Sequence, residues 1–277
     1  MIGGICGDVI GSRLEFGHKT ISPEFELLTE KNTFTDDTVF LIAMMDCVKN
    51  YSKNYKGYLI NWCEKYPQVG YGANFETWLK SETKESYGSK GNGCLVRIIP
   101  MACLFKGEIN KLDEEVEKII NFTHDSDDSF RWSKAVARTI YLARRGYSAG
   151  KILKDVEEVL DGIEFRNIYN ITNKRSELAK DIAPYAIITG LMAESFESGI
   201  RDIVCRNIDN DTGAAIVGAI MEARGIVPDK SLKNKIMKIL PDEMKQIVRE
   251  FYRSGEWKLW KIMKNWESWL KKIQIYL

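Results

Sequence analysis

Apolar residues recur every third or fourth position through 39–47, 116–120, 135–142, 182–192 and 214–221, the period that lines one side of a helix. Strict alternation is scarce, and a brief extended stretch is expected only across 162–171. The pattern predicts an all-α fold, with loops at 52–58, 81–93 and 162–167 where polar residues and glycine cluster. None of these loops reads as a long interdomain linker, and no solenoid-like repeat is present. Gly3, Gly7 and Gly11 are spaced by four. A helix would stack them into one smooth face on which another backbone can lie close.

Composition narrows the function. The chain has 277 residues, 44% apolar and 29% charged, which fits a folded globular protein of one or two domains and excludes disorder as its main state. A formal net charge of +1 gives no overall field to hold phosphates, so general nucleic-acid binding is not expected. The six cysteines, at 6, 47, 63, 94, 103 and 205, form no C-x-x-C pair and have mostly apolar neighbours. They read as buried thiols in a reducing, cytoplasmic setting rather than a disulfide framework or zinc site. The opening MIGGICGDVIG lacks the basic and long apolar regions of a signal peptide, and no run of roughly 18 apolar residues occurs, so a soluble protein is expected.

Two acidic clusters carry the candidate chemistry. FTDDT at 34–38 places Thr35, Asp36 and Asp37 directly before an apolar helical run, and DNDT at 209–212 places Asp209, Asp211 and Thr212 before another. Helix capping and surface solvation account for either cluster alone. If the two helix starts face each other, four carboxylates share a small space, which is unfavourable unless cations sit among them. All the donors are hard oxygens, with no His or Cys, which suits Mg²⁺ or Mn²⁺ better than zinc. The repetition of the same order before a helix favours metal over capping.

These stretches, together with GDVIGSRLEF at 7–16, GNGCLVR at 91–97, Thr123-His124 and DNDTGAAIVGA at 209–219, resemble the ordered signature of the ADP-ribosylglycohydrolases, the family of the dinitrogenase-reductase-activating glycohydrolase. The likeness spans roughly residues 1–228. It implies a compact orthogonal all-α bundle with a central cleft holding two divalent cations, Mg²⁺ or Mn²⁺, and hydrolysis of the bond between the distal ribose of ADP-ribose and a modified acceptor. Carried over, Thr35, Asp36, Asp37, Asp209, Asp211 and Thr212 are the metal ligands, and Glu15 is the active-site glutamate. Two metals can orient the ribose hydroxyls and activate a water, while Glu15, Asp36 and Asp37 can stabilise an oxocarbenium-like state or move a proton. Which carboxylate moves the proton stays open.

Gly91, Asn92 and Gly93 alone read as a turn; the resemblance makes them a phosphate and ribose loop. Cys94 stands where Ser or Ala is common in the family and Val96 where Met is common, changes expected to alter the fit around the distal ribose. A lone histidine is more often structural than catalytic, whereas the family position implies that His124 contacts the ligand. Asp125, Asp127 and Asp128, with Ser126 and Ser129, read as helix capping, because the segment lacks the glycine and terminal glutamate of a calcium loop. His18 reads as a surface-loop residue without a role.

Past residue 228 the resemblance fades, and 229–277 reads as a helical extension with four of the seven tryptophans, Trp257, Trp260, Trp266 and Trp269. On a helix, Leu259, Ile262, Met263, Trp266, Leu270, Ile273 and Leu277 share a stripe opposite five lysines. Docking on the bundle or on a protein partner is expected ahead of a membrane surface. The leading function is a metal-dependent ADP-ribosyl hydrolase acting on an ADP-ribosylated protein or small molecule, with arginine the acceptor as the family's commonest bacterial-type activity. The alternatives are a non-catalytic module that binds ADP-ribosylated protein or an ADP-ribosylating toxin, and a two-metal pyrophosphohydrolase.

Overall fold

Short polar side chains start the helices. Thr35, Asn54, Ser126, Ser148, Ser195 and Asp229 each accept a hydrogen bond from a first-turn backbone N–H, satisfying donors that a helix start leaves open. The computed structural model describes residues 1–14, 21–163, 165, 176–206 and 208–253. Glu15, His18, most of the 162–171 stretch and the Trp-rich segment from 254 onward lie outside the described residues.

The helices in chain order are α1 (Ile2–Gly11), α2 (Asp36–Lys49), α3 (Tyr55–Lys65), α4 (Ala73–Lys80), α5 (Gly93–Arg97), α6 (Ile99–Leu104) and α7 (Ile109–Ile120). They continue as α8 (Asp127–Arg144), α9 (Ala149–Val159), α10 (Ala179–Met192), α11 (Phe196–Val204), α12 (Asn210–Arg224), α13 (Lys230–Ile239) and α14 (Asp242–Arg253). Among the described residues there is no strand, only an isolated bridge between Gly91 and Leu178. The fold is all-α. The expected loop at 52–58 is shorter than its composition suggests, because Asn54 accepts from the Gly57 N–H and starts α3 at Tyr55. Ser126 caps α8 with Asp127 and Asp128 in its first turn, as the THDSDDS stretch predicts.

α12 is buried from Asn210 to Ala223 and packs against α1, α8, α10 and α11. Its closest partner is α1, and the glycine face explains why: a Cβ on Gly3 would lie 2.3 Å from the Gly218 carbonyl oxygen, and one on Gly7 2.0 Å from that of Ala214. Only hydrogen atoms fit there. α12 ends at Gly225, whose φ of 90° is the left-handed conformation that suits glycine. α14 packs on α2, and Tyr252 at its end donates to the buried Glu222 while accepting the Ile2 N–H at 2.8 Å. Glu222 also takes the Gly3 N–H at 2.7 Å and pairs with the Met1 ammonium. A single apolar core runs through these helices. All six cysteines are free thiols, five of them buried, and burial pushes Cys47, Cys94 and Cys103 up to about 11. No described helix is long and apolar enough to cross a membrane.

Candidate active site

The starts of α2 and α12 face one cleft. Thr212 donates its hydroxyl to Asp37 at 2.6 Å, joining the two acidic clusters across 175 residues of sequence. Asp36, Asp37, Asp209, Asp211 and Thr212 all line the same cavity of about 730 Å³. Asp37, Asp209, Asp211 and Thr212 are buried, and Asp36 is half-buried.

Capping explains only part of this arrangement. The cap of α2 is Thr35, whose hydroxyl accepts from the Asp37 N–H at 3.3 Å. Asp209 occupies the cap position of α12 without capping it. Its carboxylate instead accepts the Asn92 side-chain amide at 2.6 Å, so Asn92 ties the 91–93 turn to the start of α12. Asp211 accepts the Thr212 N–H at 2.9 Å. Asn210 turns the other way and donates to the Leu14 carbonyl at 2.9 Å, anchoring the residue next to Glu15.

Behind Thr35 lies a residue that sequence reasoning passed over. Asp8, buried on α1, accepts the Thr35 N–H at 3.1 Å, the Thr35 hydroxyl at 2.7 Å, the Thr38 N–H at 3.1 Å and the Thr38 hydroxyl. Burial pushes its carboxyl above the ordinary carboxylate range, and the four donors oppose that shift. An acid inside the apolar MIGGICGDVIG run was the available signal.

Arg97, at the end of α5, was also passed over. It lines the cleft at 2% exposure, with its guanidinium 4.5 Å from the Phe40 ring centre and 5.0 Å from that of Phe75. Desolvation lowers its pKa. His124 and the 91–93 turn complete that wall. Cys94 and Val96 are fully buried, and the Cys94 thiol donates to the Gly91 carbonyl at 3.3 Å.

Among the described residues no three His, Cys, Asp or Glu side chains close around one point tightly enough to hold a metal. The donor chemistry nevertheless fits a hard cation. Asp36, Asp37, Asp209 and Asp211 present carboxylate oxygens to one cleft beside the Thr212 hydroxyl, and the cationic groups on its wall are Lys90 and Arg97.

The model of the ADP-ribosylglycohydrolase family matches residues 1–257. The chain therefore belongs to the ADP-ribosylglycohydrolases, a family of hydrolases, and the matched span continues past residue 228 through α13 and α14. A solved structure described as an ADP-ribosylglycohydrolase-related protein complex superposes with a TM-score of 0.68. It is 19% identical, and the match covers 92% of this chain and 95% of that one; at that identity the likeness is one of fold. No curated protein matches the chain.

Proposed function

We propose that this protein hydrolyses the bond between the distal ribose of ADP-ribose and a modified acceptor, and that it does so with two divalent cations, Mg²⁺ or Mn²⁺. The observation that carries this reading is the meeting of two acidic helix starts in one cleft, tied by Thr212 to Asp37. Asp36, Asp37, Asp209, Asp211 and Thr212 are the groups that would hold the ions, with Thr35 at the edge of the same cluster. Bound there, divalent ions would supply Lewis-acid polarisation and positioning of oxygen ligands.

The chain's own groups do the rest. Asn92 restrains Asp209 and fixes how the 91–93 turn meets the acidic cluster. Asp8 fixes the Thr35 end of α2. In the reaction a water oxygen bonds to the anomeric carbon as the bond to the acceptor breaks; one water proton passes to a carboxylate and the leaving group gains a proton. Glu15, on the strength of the family resemblance, is the leading proton-exchange group. The same resemblance makes an arginine side chain the leading acceptor.

The test is release of ADP-ribose from defined arginine-, serine- and base-linked substrates, with Mn²⁺, with Mg²⁺ and with a chelator. Metal-dependent release of ADP-ribose from the arginine substrate is expected. Tight binding without release would make the protein a binding module, and release of AMP would make it a pyrophosphohydrolase.

A further inference from the structure

Beside the 91–93 turn the cleft is backed by a chain of polar contacts that starts at a buried cation. Arg97 donates from Nη1 to the Thr123 hydroxyl at 2.7 Å, and that hydroxyl lies 2.8 Å from His124 Nδ1. All three residues are buried, with Thr123 fully so and the other two at 2% exposure. On its other side the His124 ring turns Nε2 toward Gly91, 4.0 Å from where a Cβ on that residue would stand, and the Gly91 backbone acts on the ring as an acceptor.

Proton counting fixes the direction. Arg97 can only donate, so Thr123 accepts from it and has one proton left to give. The alternative acceptor for that proton, the Ile120 carbonyl, is 3.4 Å away, a much poorer contact than the 2.8 Å to Nδ1. Nδ1 is then the acceptor, and the ring proton sits on Nε2. The Gly91 contact asks for the same assignment, because a backbone carbonyl needs a donor.

We propose that Arg97 and Thr123 lock His124 in the Nε2–H tautomer, making it a positioning residue that braces the 91–93 turn rather than a proton shuttle. Burial and the Arg97 charge keep the imidazole neutral near pH 7, consistent with a fixed donor. The Cys94 thiol reaches the same Gly91 carbonyl, and the Gly91 N–H is held by Ser89 Oγ at 3.2 Å. The turn is thus clamped at Gly91 while Asn92 reaches Asp209. A buried cation thereby helps set the position of a carboxylate in the acidic cluster. The consequence for ligand binding rests on the proposed function; the tautomer does not.

The sequence has two histidines, His18 and His124, so ¹⁵N-histidine labelling gives a spectrum that His18→Gln reduces to His124 alone. A pyridine-type Nδ1 and a pyrrole-type Nε2 at pH 7 are expected. In Thr123→Val the ring proton should redistribute, both nitrogens should move toward an averaged signal, and ADP-ribose binding should weaken about five- to tenfold; Thr123→Ser should restore both. A protonated Nδ1 in the wild type, an imidazolium at pH 7, or an unaltered tautomer in Thr123→Val would overturn the proposal even if Thr123→Val is too unstable to assay for binding. Loss of all ADP-ribose binding in the wild type with the tautomer as stated would instead count against the proposed function alone.

Discussion

Asp8 and Thr35 are joined twice, with the Thr35 hydroxyl on one carboxylate oxygen at 2.7 Å and the Thr35 N–H on the other at 3.1 Å. The glycine-faced helix therefore holds the first residue of the acidic cluster from behind. Asp8→Asn keeps the shape but replaces an acceptor oxygen with a donor NH₂, which faces the N–H and hydroxyl donors of Thr35 and Thr38. We expect a loss of roughly 3 kcal/mol in unfolding free energy and weaker Mn²⁺ binding by any protein that stays folded. Denaturant titration and calorimetry read the two effects; a variant as stable as the parent would remove Asp8 from this role.

Glycine-to-alanine substitutions separate the α1–α12 seam from ordinary helix positions. At Gly7 the added methyl meets the Ala214 backbone carbonyl, which cannot rotate away, so a loss of roughly 3 kcal/mol or more is expected. At Gly150, in α9, nothing lies within 4 Å, and alanine should be neutral or stabilising by up to about 1 kcal/mol. Thermal melts of both variants check the contrast.

Removing one carboxylate charge should separate chemistry from folding. Asp36→Asn and Asp209→Asn are expected to lower metal-dependent turnover roughly a hundredfold while leaving the circular dichroism spectrum unchanged. Unchanged Mn²⁺ affinity and turnover in both would defeat the two-metal assignment.

His124 makes a signed prediction about pH. Burial and Arg97 hold its pKa well below the ordinary value of 6.5 in the folded protein, so it stays neutral there while the unfolded chain takes up a proton. The unfolded state binds more protons, and stability falls as the pH drops below about 6.5, by at most about 1.4 kcal/mol per unit from this group. His124→Gln should lose stability less steeply between pH 6.5 and 5. Equal slopes in urea unfolding would show that another group carries the acid sensitivity.

The two acidic clusters were legible in sequence because each sits at a helix start, where a composition rule and a periodicity rule point to the same residues. The glycine face was legible for a similar reason, since a spacing of four has a direct geometric meaning. Asp8 and Arg97 were not. A single charge inside an apolar run reads as a solvated residue unless its partners are known, and those partners, Thr35 and Thr38 for one and Thr123 for the other, come together only in three dimensions. The Asn92 to Asp209 contact, across 117 residues, lies beyond local pattern altogether.

The fit between α1 and α12 imposes a timetable. Gly3 and Glu222, hydrogen-bonded at 2.7 Å, are 219 residues apart, so α1 leaves the ribosome long before its partner helix. Until residues up to Arg224 emerge, the glycine face has no neighbour and the carboxylates at 36 and 37 have no opposing pair. Such distant pairing is slow to form and leaves apolar surface open meanwhile. A nascent chain stalled before Arg224 would therefore carry α1 to α11 yet have no cleft, and the activity would arrive all at once, only when α12 has emerged.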